Sequence, residues 1–232
     1  MPTWNVKLTE IIKRTSDITS FRFNLPENLS YLPGQFFFVY IPTEVGGDMM
    51  HHFSSSSSPS EPYIEFTTRI RDSPFKKRLN QLEIGTFVKI ASVSGQFTIT
   101  EEMKKVVFIC GGIGITAARS NIKWLIDSHS TVDIILLYGN RTYNNIAFKD
   151  ELEQFAEQNF KAFHILSDPE EGWDGPKGFI NAEFILSSVT DLIDRICFVS
   201  GPPAMVKSIK DILTAILCIP EGNIKTENYV GY

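Results

Sequence analysis

Cysteine is scarce in this 232-residue sequence, and the three cysteines that occur are far apart. Cys110, Cys197 and Cys218 each lie within an apolar segment, so we expect buried thiols and not disulfide partners. An iron-sulfur cluster usually takes four closely spaced cysteines. The chain is therefore not expected to hold such a cluster by itself.

Basic runs and long apolar runs are also missing. The formal net charge is -5 and no stretch of lysine and arginine forms a basic stripe, which argues against a nucleic-acid partner. The longest apolar stretches, such as Ile134 to Tyr138, are far too short to span a bilayer. The N-terminus lacks a charged and then apolar signal segment, so we expect a cytoplasmic protein without a membrane span.

The histidine pattern gives no support for a metal site. His51 and His52 are adjacent and would point to opposite faces of an extended strand, while His129 and His164 lie far away in the sequence. Catalytic zinc usually has three converging protein ligands. No metal is predicted.

The most informative stretch runs from Phe108 to Ala117, where an apolar strand breaks into glycines and continues at helical spacing. Gly112, Gly114 and Ala117 fit the G-x-G-x-x-G/A pattern, in which glycines let the backbone approach a pyrophosphate at the start of a helix. The candidate phosphate-binding residues are Gly111, Gly112, Gly114, Ile115 and Thr116. A strand, turn and helix without any ligand is the competing interpretation.

The N-terminal half alternates short β-rich runs with proline and glycine turns, the pattern of a small antiparallel barrel. The predicted strands are Trp4 to Lys13, Thr19 to Asn24, Gln35 to Ile41, Tyr63 to Ile70 and Phe87 to Ile90. A helix is predicted at Ser73-Pro74, because serine caps helices and proline fits the first position. Its start is a candidate anion site to which Lys76 adds charge, although a solvated surface helix explains the same residues. The serine run that ends at Pro59 lies between strand patterns, so we expect it to be ordered.

The C-terminal half alternates apolar strands with helical patterns, which predicts a parallel sheet with helices on both faces. The predicted strands are Lys105 to Cys110, Val132 to Tyr138, Ala162 to Leu166, Ile196 to Ser200 and Asn223 to Glu227; the predicted helices start at Ile115 or span 148–159, 181–189 and 203–217. Ligands of such sheets bind beyond the carboxyl ends of the strands, and three ends carry polar or glycine-bearing breaks: Gly111-Gly112, Asn140-Arg141 and Ser200 to Pro203. A charged break near Thr100 predicts two domains, residues 1–101 and 102–232.

Together these motifs resemble the ferredoxin-NADP reductase family of two-domain flavoprotein reductases along essentially the whole chain. In the first domain, Tyr31 to Phe36 is similar to the strand that opens the family's flavin domain, His51 to Ser54 to its Arg-x-Tyr-Ser/Thr motif, and Arg71 to Lys76 to the start of its flavin-pyrophosphate helix. In the second domain, Cys110 to Thr116, Leu137 to Thr142 and Ser200 to Met205 are similar to the nicotinamide-domain motifs in order and spacing.

The resemblance implies an antiparallel β-barrel that binds FAD in residues 1–101 and an α/β domain with a parallel sheet that binds NADPH or NADH in residues 102–232. Hydride would pass to the flavin at the seam, and electrons would leave to a redox protein such as a ferredoxin. The implied FAD-binding residues are His51, His52, Phe53, Ser54, Thr67, Thr68, Arg71, Ser73, Phe75 and Lys76. The implied nicotinamide-nucleotide residues are Gly111, Gly112, Gly114, Ile115, Thr116, Asn140, Arg141, Gly201, Pro202 and Pro203. The implied catalytic residues are Ser54, Ser200 and Glu227.

The terminal segment resembles the family's acidic-aromatic ending, which implies that Tyr229 or Tyr232 shields the flavin; a tyrosine that only anchors the terminus is the alternative. The chain departs from the family pattern at several positions. A titratable His51 replaces the arginine that would face the flavin pyrophosphate. Phe53 keeps the ring of the family's tyrosine without its hydroxyl, and Ser200 stands where many members have a cysteine.

The choice of nicotinamide depends on the residues after the strand that ends at Tyr138. Arg141 without an acidic neighbour would accommodate a 2'-phosphate and favours NADPH, whereas Asp168, Glu170 and Glu171 bring opposing charge or pair with Arg141.

The leading hypothesis is an NAD(P)H-dependent flavoprotein reductase. Two alternatives stay open: a nucleotide-binding electron-transfer or regulatory subunit without independent turnover, and a flavin-free nicotinamide-binding module.

Overall fold

The computed structural model describes residues 2–43, 46–100, 102–155 and 159–229. The N-terminal strands are β1 (Thr3–Lys13), β2 (Ile18–Asn24), β3 (Phe36–Pro42), β4 (Asp48–Ser54), β5 (Tyr63–Arg69) and β6 (Phe87–Ser94). They form one six-stranded antiparallel sheet in the order β4-β3-β6-β1-β2-β5. A bridge between Ser55 and Phe66 joins the two edges of this sheet, which closes the predicted barrel.

Side chains alternate along the barrel strands. Phe37, Val39 and Ile41 of β3 are fully buried inside the barrel, together with Leu79 of helix α1 (Pro74–Asn80). Strand β4 was not among the predicted strands, because only its last two residues, Phe53 and Ser54, are buried and the rest of this edge strand is polar or exposed. The predicted N-cap is confirmed, since the Ser73 side chain accepts a hydrogen bond from the backbone N–H of Lys76.

The C-terminal half forms the predicted parallel sheet. Its strands are β7 (Lys105–Gly111), β8 (Asp133–Asn140), β9 (Phe160–Leu166), β10 (Ile196–Gly201) and β11 (Ile224–Asn228), in the order β11-β10-β7-β8-β9. Its helices are α2 (Ile115–Asp127), α3 (Lys149–Gln154), α4 (Ala182–Ser188) and α5 (Pro203–Asp211). Helix α3 is shorter than the predicted 148–159: residue 155 ends it, and residues 156–158 lie outside the described ranges.

Both faces of the parallel sheet are covered. In β7, Phe108 and Cys110 pack with α2 on one face, while Val107 and Ile109 pack on the other face with residues of α4 and α5. Burial on both faces explains why β7 reads as an uninterrupted apolar run. The carboxyl ends of β7, β8 and β10 therefore meet at one open edge of the sheet.

The two halves pack closely. Ile18, Phe97 and Ile99 of the N-terminal half belong to the same buried cluster as α2. The boundary between residues 101 and 102 stays a prediction, and Glu101 lies outside the described residues. Within the described ranges, every helix is too short or too polar to cross a membrane.

Candidate active site at the seam between the two halves

The glycine turn joins β7 to α2 through a single 3-10 turn, Gly112–Gly114. Gly112 has a φ of +52°, which favours glycine. A Cβ on Gly114 would lie 2.7 Å from the backbone nitrogen of Gly201, so only glycine fits there. The turn leads into a thirteen-residue helix that begins at Ile115, as the sequence predicted, and the Ile115 N–H donates to the Gly112 carbonyl oxygen of the turn.

The end of β10 lies directly beside this turn. Ser200 pairs with Cys110 across the sheet, and its hydroxyl donates to the Gly114 carbonyl oxygen at 2.8 Å. The Cys110 sulfur lies 3.3 Å from the same hydroxyl, and burial raises the pKa of this thiol to about 12, so it stays neutral. Ser200 is fully buried and holds the turn in place. Pro202 and Pro203 follow, and Pro203 begins α5.

Four polar side chains connect the barrel to the parallel sheet across the seam. The Tyr229 hydroxyl donates to Ser54 Oγ at 2.9 Å and lies 2.9 Å from Thr116 Oγ1. Ser54 Oγ in turn donates to a carboxylate oxygen of Glu227. Burial raises the pKa of Glu227, although hydrogen bonds from Ser54 and Tyr229 oppose this shift. Four predicted site residues, Ser54, Thr116, Glu227 and Tyr229, are thus brought together.

A second group of predicted residues gathers where β4 and β5 meet. The His51 ring stacks on Phe53 at a centroid distance of 4.9 Å and lies 5.4 Å from the Phe75 ring. The Lys76 amine donates to the Thr68 hydroxyl and lies 5.3 Å from the centre of the Phe53 ring. Burial and the neighbouring charge of Arg71 lower the pKa of Lys76 to about 7. Burial also lowers the pKa of His51.

Two further predicted FAD residues have other neighbours. The His52 ring stacks on the His51 ring at a centroid distance of 5.3 Å and also contacts the rings of Phe36 and Phe38 at 5.6 and 6.2 Å. Thr67 lies apart from this group and faces the hydroxyls of Ser20 and Ser56, each 2.7 Å away. Because neighbours in a strand alternate between faces, Thr67 and Thr68 do not line one surface. Tyr232 lies outside the described residues, as do 230 and 231.

A cavity of about 840 Å³ opens beside Ser54 at the seam. Its walls are the outward face of β3 and β4, the loop that follows β6, and strand β11. Phe36, Phe38 and His52 supply aromatic surface, and Glu227 and Tyr229 supply polar groups. Cavities of this size with a few convergent polar groups are typical of ligand or partner sites.

Two predicted nucleotide-binding residues, Asn140 and Arg141, lie at the carboxyl end of β8. Asn140 is buried, and within the described ranges its side-chain amide makes no hydrogen bond. Arg141 is exposed and directs two guanidinium nitrogens to one oxygen of Asp168, at 3.0 and 3.1 Å. Glu170 accepts a hydrogen bond from the backbone N–H of Tyr143 at 3.0 Å, which lowers the pKa of this carboxyl.

Two residues that line these sites were missed from the sequence. Arg69 ends β5, and its guanidinium lies 3.9 Å from the position of a Cβ on Gly112. Lys225 lines the cavity and donates to the Thr98 carbonyl oxygen at 2.9 Å. Arg69 had a usable signal, since it shares a strand with predicted residues. Lys225 had none, because its position depends on the packing of β11 against the barrel.

The residues fit both implied cofactors. The aromatic and cationic group of His51, Phe53 and Lys76 suits a ring system that carries a diphosphate. The space beside Gly112 is open, with the Arg69 guanidinium 3.9 Å from the position of a Cβ there, and suits a pyrophosphate near the N-terminus of α2. The unpaired amide of Asn140 offers donors and acceptors at the neighbouring strand end.

Comparison with known proteins also indicates an FAD-binding first half and an NAD-binding second half. The family described as "Oxidoreductase FAD-binding domain" matches residues 5–99, and "Oxidoreductase NAD-binding domain" matches residues 108–211. The glycine betaine monooxygenase reductase subunit of Chromohalobacter salexigens is 29% identical over 222 residues, which cover 90% of this chain and 60% of that protein. NADH-cytochrome b5 reductase 1 of Ajellomyces capsulatus is 29% identical over 224 residues, covering 89% of this chain and 72% of that protein. The chain thus spans about 60% of the length of the first of these relatives.

Solved structures share the fold over nearly the whole chain. The ferredoxin NADP+ reductase of Neisseria gonorrhoeae superposes with a TM-score of 0.83 at 18% identity, over 98% of this chain and 99% of that one. The cytochrome b5 reductase domain of Ulva prolifera nitrate reductase superposes with a TM-score of 0.84 at 22% identity, over 97% of each chain. The predicted fold and the predicted FAD-binding and NAD-binding domains are confirmed. The chain belongs to the ferredoxin-NADP reductase family of flavoprotein oxidoreductases.

Proposed function

We propose that this chain is a reductase that takes hydride from NADH onto FAD at the seam and passes the electrons to a separate redox protein. The observation that carries the proposal is the hydrogen-bonded path from Thr116 through Tyr229 and Ser54 to Glu227. This path joins the nucleotide-binding end of α2 to the flavin-binding edge of the barrel, where the two reacting rings must meet.

FAD and the nicotinamide supply the redox chemistry when they are bound. The chain's own residues would bind these two cofactors and orient them toward each other. The glycine turn and the N–H groups of α2 would hold the nicotinamide nucleotide, and His51 and Lys76 would hold the flavin diphosphate. The Ser54 hydroxyl has a fixed orientation, because it accepts from Tyr229 and donates to Glu227.

Glu227 and Ser54 form the polar end of the seam in this proposal. Burial raises the pKa of Glu227, and the Ser54 hydroxyl donates to this carboxyl next to the cavity. Ser200, which the resemblance implies is catalytic, would act in this proposal by positioning the glycine turn, because its hydroxyl donates to the Gly114 carbonyl oxygen.

The charges at the end of β8 support NADH over NADPH. The guanidinium of Arg141 already forms an ion pair with Asp168, and a second carboxylate, that of Glu170, lies beside the backbone of Tyr143. Carboxylates at this position suit ribose hydroxyls and repel a 2'-phosphate. From the sequence alone, Arg141 favours NADPH, because it could accommodate a 2'-phosphate. The ion pair of Arg141 with Asp168 instead supports NADH.

The acceptor is inferred from the relatives and from the cavity. One relative is named as the reductase subunit of a monooxygenase and the other as a reductase of cytochrome b5. Both names describe a reductase that serves another protein, so we infer a protein acceptor here. The cavity beside Ser54, with Phe36 and Phe38 in its wall, gives such a partner access to the seam.

Anaerobic absorption spectra of the FAD-loaded protein test the proposal. NADH should bleach the flavin band about two- to fivefold faster than NADPH at equal concentration, since an exposed ion pair such as Arg141–Asp168 is worth up to about 1 kcal/mol. A protein that binds FAD but is bleached by neither nucleotide would support the electron-transfer subunit without independent turnover.

A further inference from the structure

Arg119 is the largest fully buried side chain of the described residues, with 2% of its surface exposed. It lies on α2, one turn after Thr116. Its guanidinium forms paired hydrogen bonds with two carboxylates, Glu61 of the barrel and Glu151 of α3. It also donates to the carbonyl oxygen of Ser56 at 2.8 Å. A buried charge requires such complete pairing, and only the planar fork of arginine satisfies two carboxylates at once.

The barrel holds Glu61 firmly in its place. The backbone N–H of Ser58 donates to one carboxylate oxygen at 2.7 Å, and the Tyr63 hydroxyl donates to the other at 2.6 Å. Arg119 therefore docks α2 onto a carboxylate that has a fixed position in the barrel.

The ring of Phe148 contacts two arginines from different halves of the chain. Its centre is 4.6 Å from the guanidinium carbon of Arg14 and 5.6 Å from that of Arg119. Phe148 has a φ of +60°, a conformation that a bulky residue adopts only when its surroundings require it. The two cation-aromatic contacts contribute to holding the ring there.

The next two residues of α2 extend the contact. Ser120 Oγ donates to the Ser57 carbonyl at 2.6 Å and accepts from the Gly34 N–H at 3.1 Å. Asn121 donates to the Phe97 carbonyl at 2.9 Å and accepts from the Ile99 N–H at 3.1 Å.

These contacts fix the same two segments that meet at the seam. Arg119 lies one turn from Thr116, at the nucleotide end of α2, and its partner Ser56 lies two residues from Ser54, at the flavin edge. We propose that Arg119 is a positioning residue, which sets the separation of the nicotinamide and flavin rings by docking the start of α2 onto the segment after Ser54. This role rests on the proposed function. Hydride transfer requires reacting atoms about 3 to 3.5 Å apart, and a displacement of about 1 Å reduces the rate about 100-fold.

Arg195 provides a matched control. It too is buried, at 3% exposed, and it pairs with two carboxylates, Asp133 and Asp191, and with the Val106 carbonyl oxygen. It lies just before β10, at the amino ends of the strands and therefore at the opposite edge of the sheet from the seam.

The experiment compares Arg119→Lys with Arg195→Lys in the FAD-loaded protein. Both substitutions should lower Tm by several degrees, because each breaks a paired arginine fork. Only Arg119→Lys should slow flavin reduction at saturating NADH, by about 10- to 100-fold, with the KM for NADH and the FAD affinity changed less than about threefold. An unchanged rate in Arg119→Lys, or an equal loss in Arg195→Lys, overturns the positioning role. If Arg119→Lys does not fold, Glu151→Gln keeps the pairing with Glu61 and should slow reduction by at least about threefold; a wild-type rate there refutes the role.

Hydrogen exchange of the cofactor-free protein separates this inference from the proposed function. In Arg119→Lys, the amides of residues 55–58 and 117–121 should exchange at least about tenfold faster than in the wild type, and in Arg195→Lys they should not. If the wild type is not reduced by NADH, the proposed function fails. In that case the hydrogen-exchange result still decides whether Arg119 docks α2 onto the barrel. Equal exchange rates in Arg119→Lys and the wild type would refute the docking.

Discussion

The affinity for FAD should fall as the pH rises above about 7, because the Lys76 amine, which we propose binds the flavin diphosphate, titrates there. Lys76 is 3% exposed, and burial and the neighbouring charge of Arg71 lower its pKa to about 7. The negative diphosphate favours the charged amine and raises its pKa by roughly 1 to 3 units in the complex. Below pH 7 the amine is charged with and without FAD, so the affinity is constant. Above pH 7 binding must take up a proton, which weakens the affinity about tenfold for each pH unit.

Between about pH 7 and pH 8.5 the dissociation constant for FAD should therefore rise about 4- to 16-fold. Quenching of flavin fluorescence on binding, measured at constant ionic strength, gives this constant at each pH. Lys76→Arg keeps its charge throughout this range and should give a flat profile. Lys77→Arg is the control, because Lys77 is exposed on the same helix and pairs with Asp72, so this substitution should keep the slope. A flat wild-type profile, or a slope that persists in Lys76→Arg, would refute the role of this amine.

Three further results are expected at the nucleotide side and the seam. Gly114→Ala should raise the KM for NADH at least about tenfold, because its Cβ displaces the turn, whereas Gly222→Ala meets no atom within 4 Å and should change nothing; equal KM values in steady-state assays would contradict this. Ser54→Ala should slow flavin reduction about 10- to 100-fold while FAD is retained, and stopped-flow traces with normal rates but lost flavin would reverse that assignment. Asp168→Ala should free Arg141 and raise kcat/KM for NADPH relative to NADH about tenfold; an unchanged ratio would exclude their ion pair as the determinant.

The sequence predicted most of the fold. Alternating apolar strands and helical patterns in the second half specified the parallel sheet, because each buried strand has to be covered on both faces. The glycine turn was located to the residue, since Gly112 needs a positive φ and Gly114 has no room for a side chain. Strand β4 escaped prediction because an edge strand with polar outward positions lacks a clear alternation.

The sequence by itself determined which residue types are available at the seam: a serine in the flavin motif, an acid and a tyrosine near the C-terminus, and a threonine after the glycine turn. Only the tertiary structure decided that Ser54, Glu227, Tyr229 and Thr116 form one hydrogen-bonded path, because they come from three segments that lie far apart in the sequence. It also decided that Lys76 is buried and that Arg119 is not a surface charge. Burial, charge pairing and pKa depend on long-range packing, and local sequence patterns carry no information about such contacts.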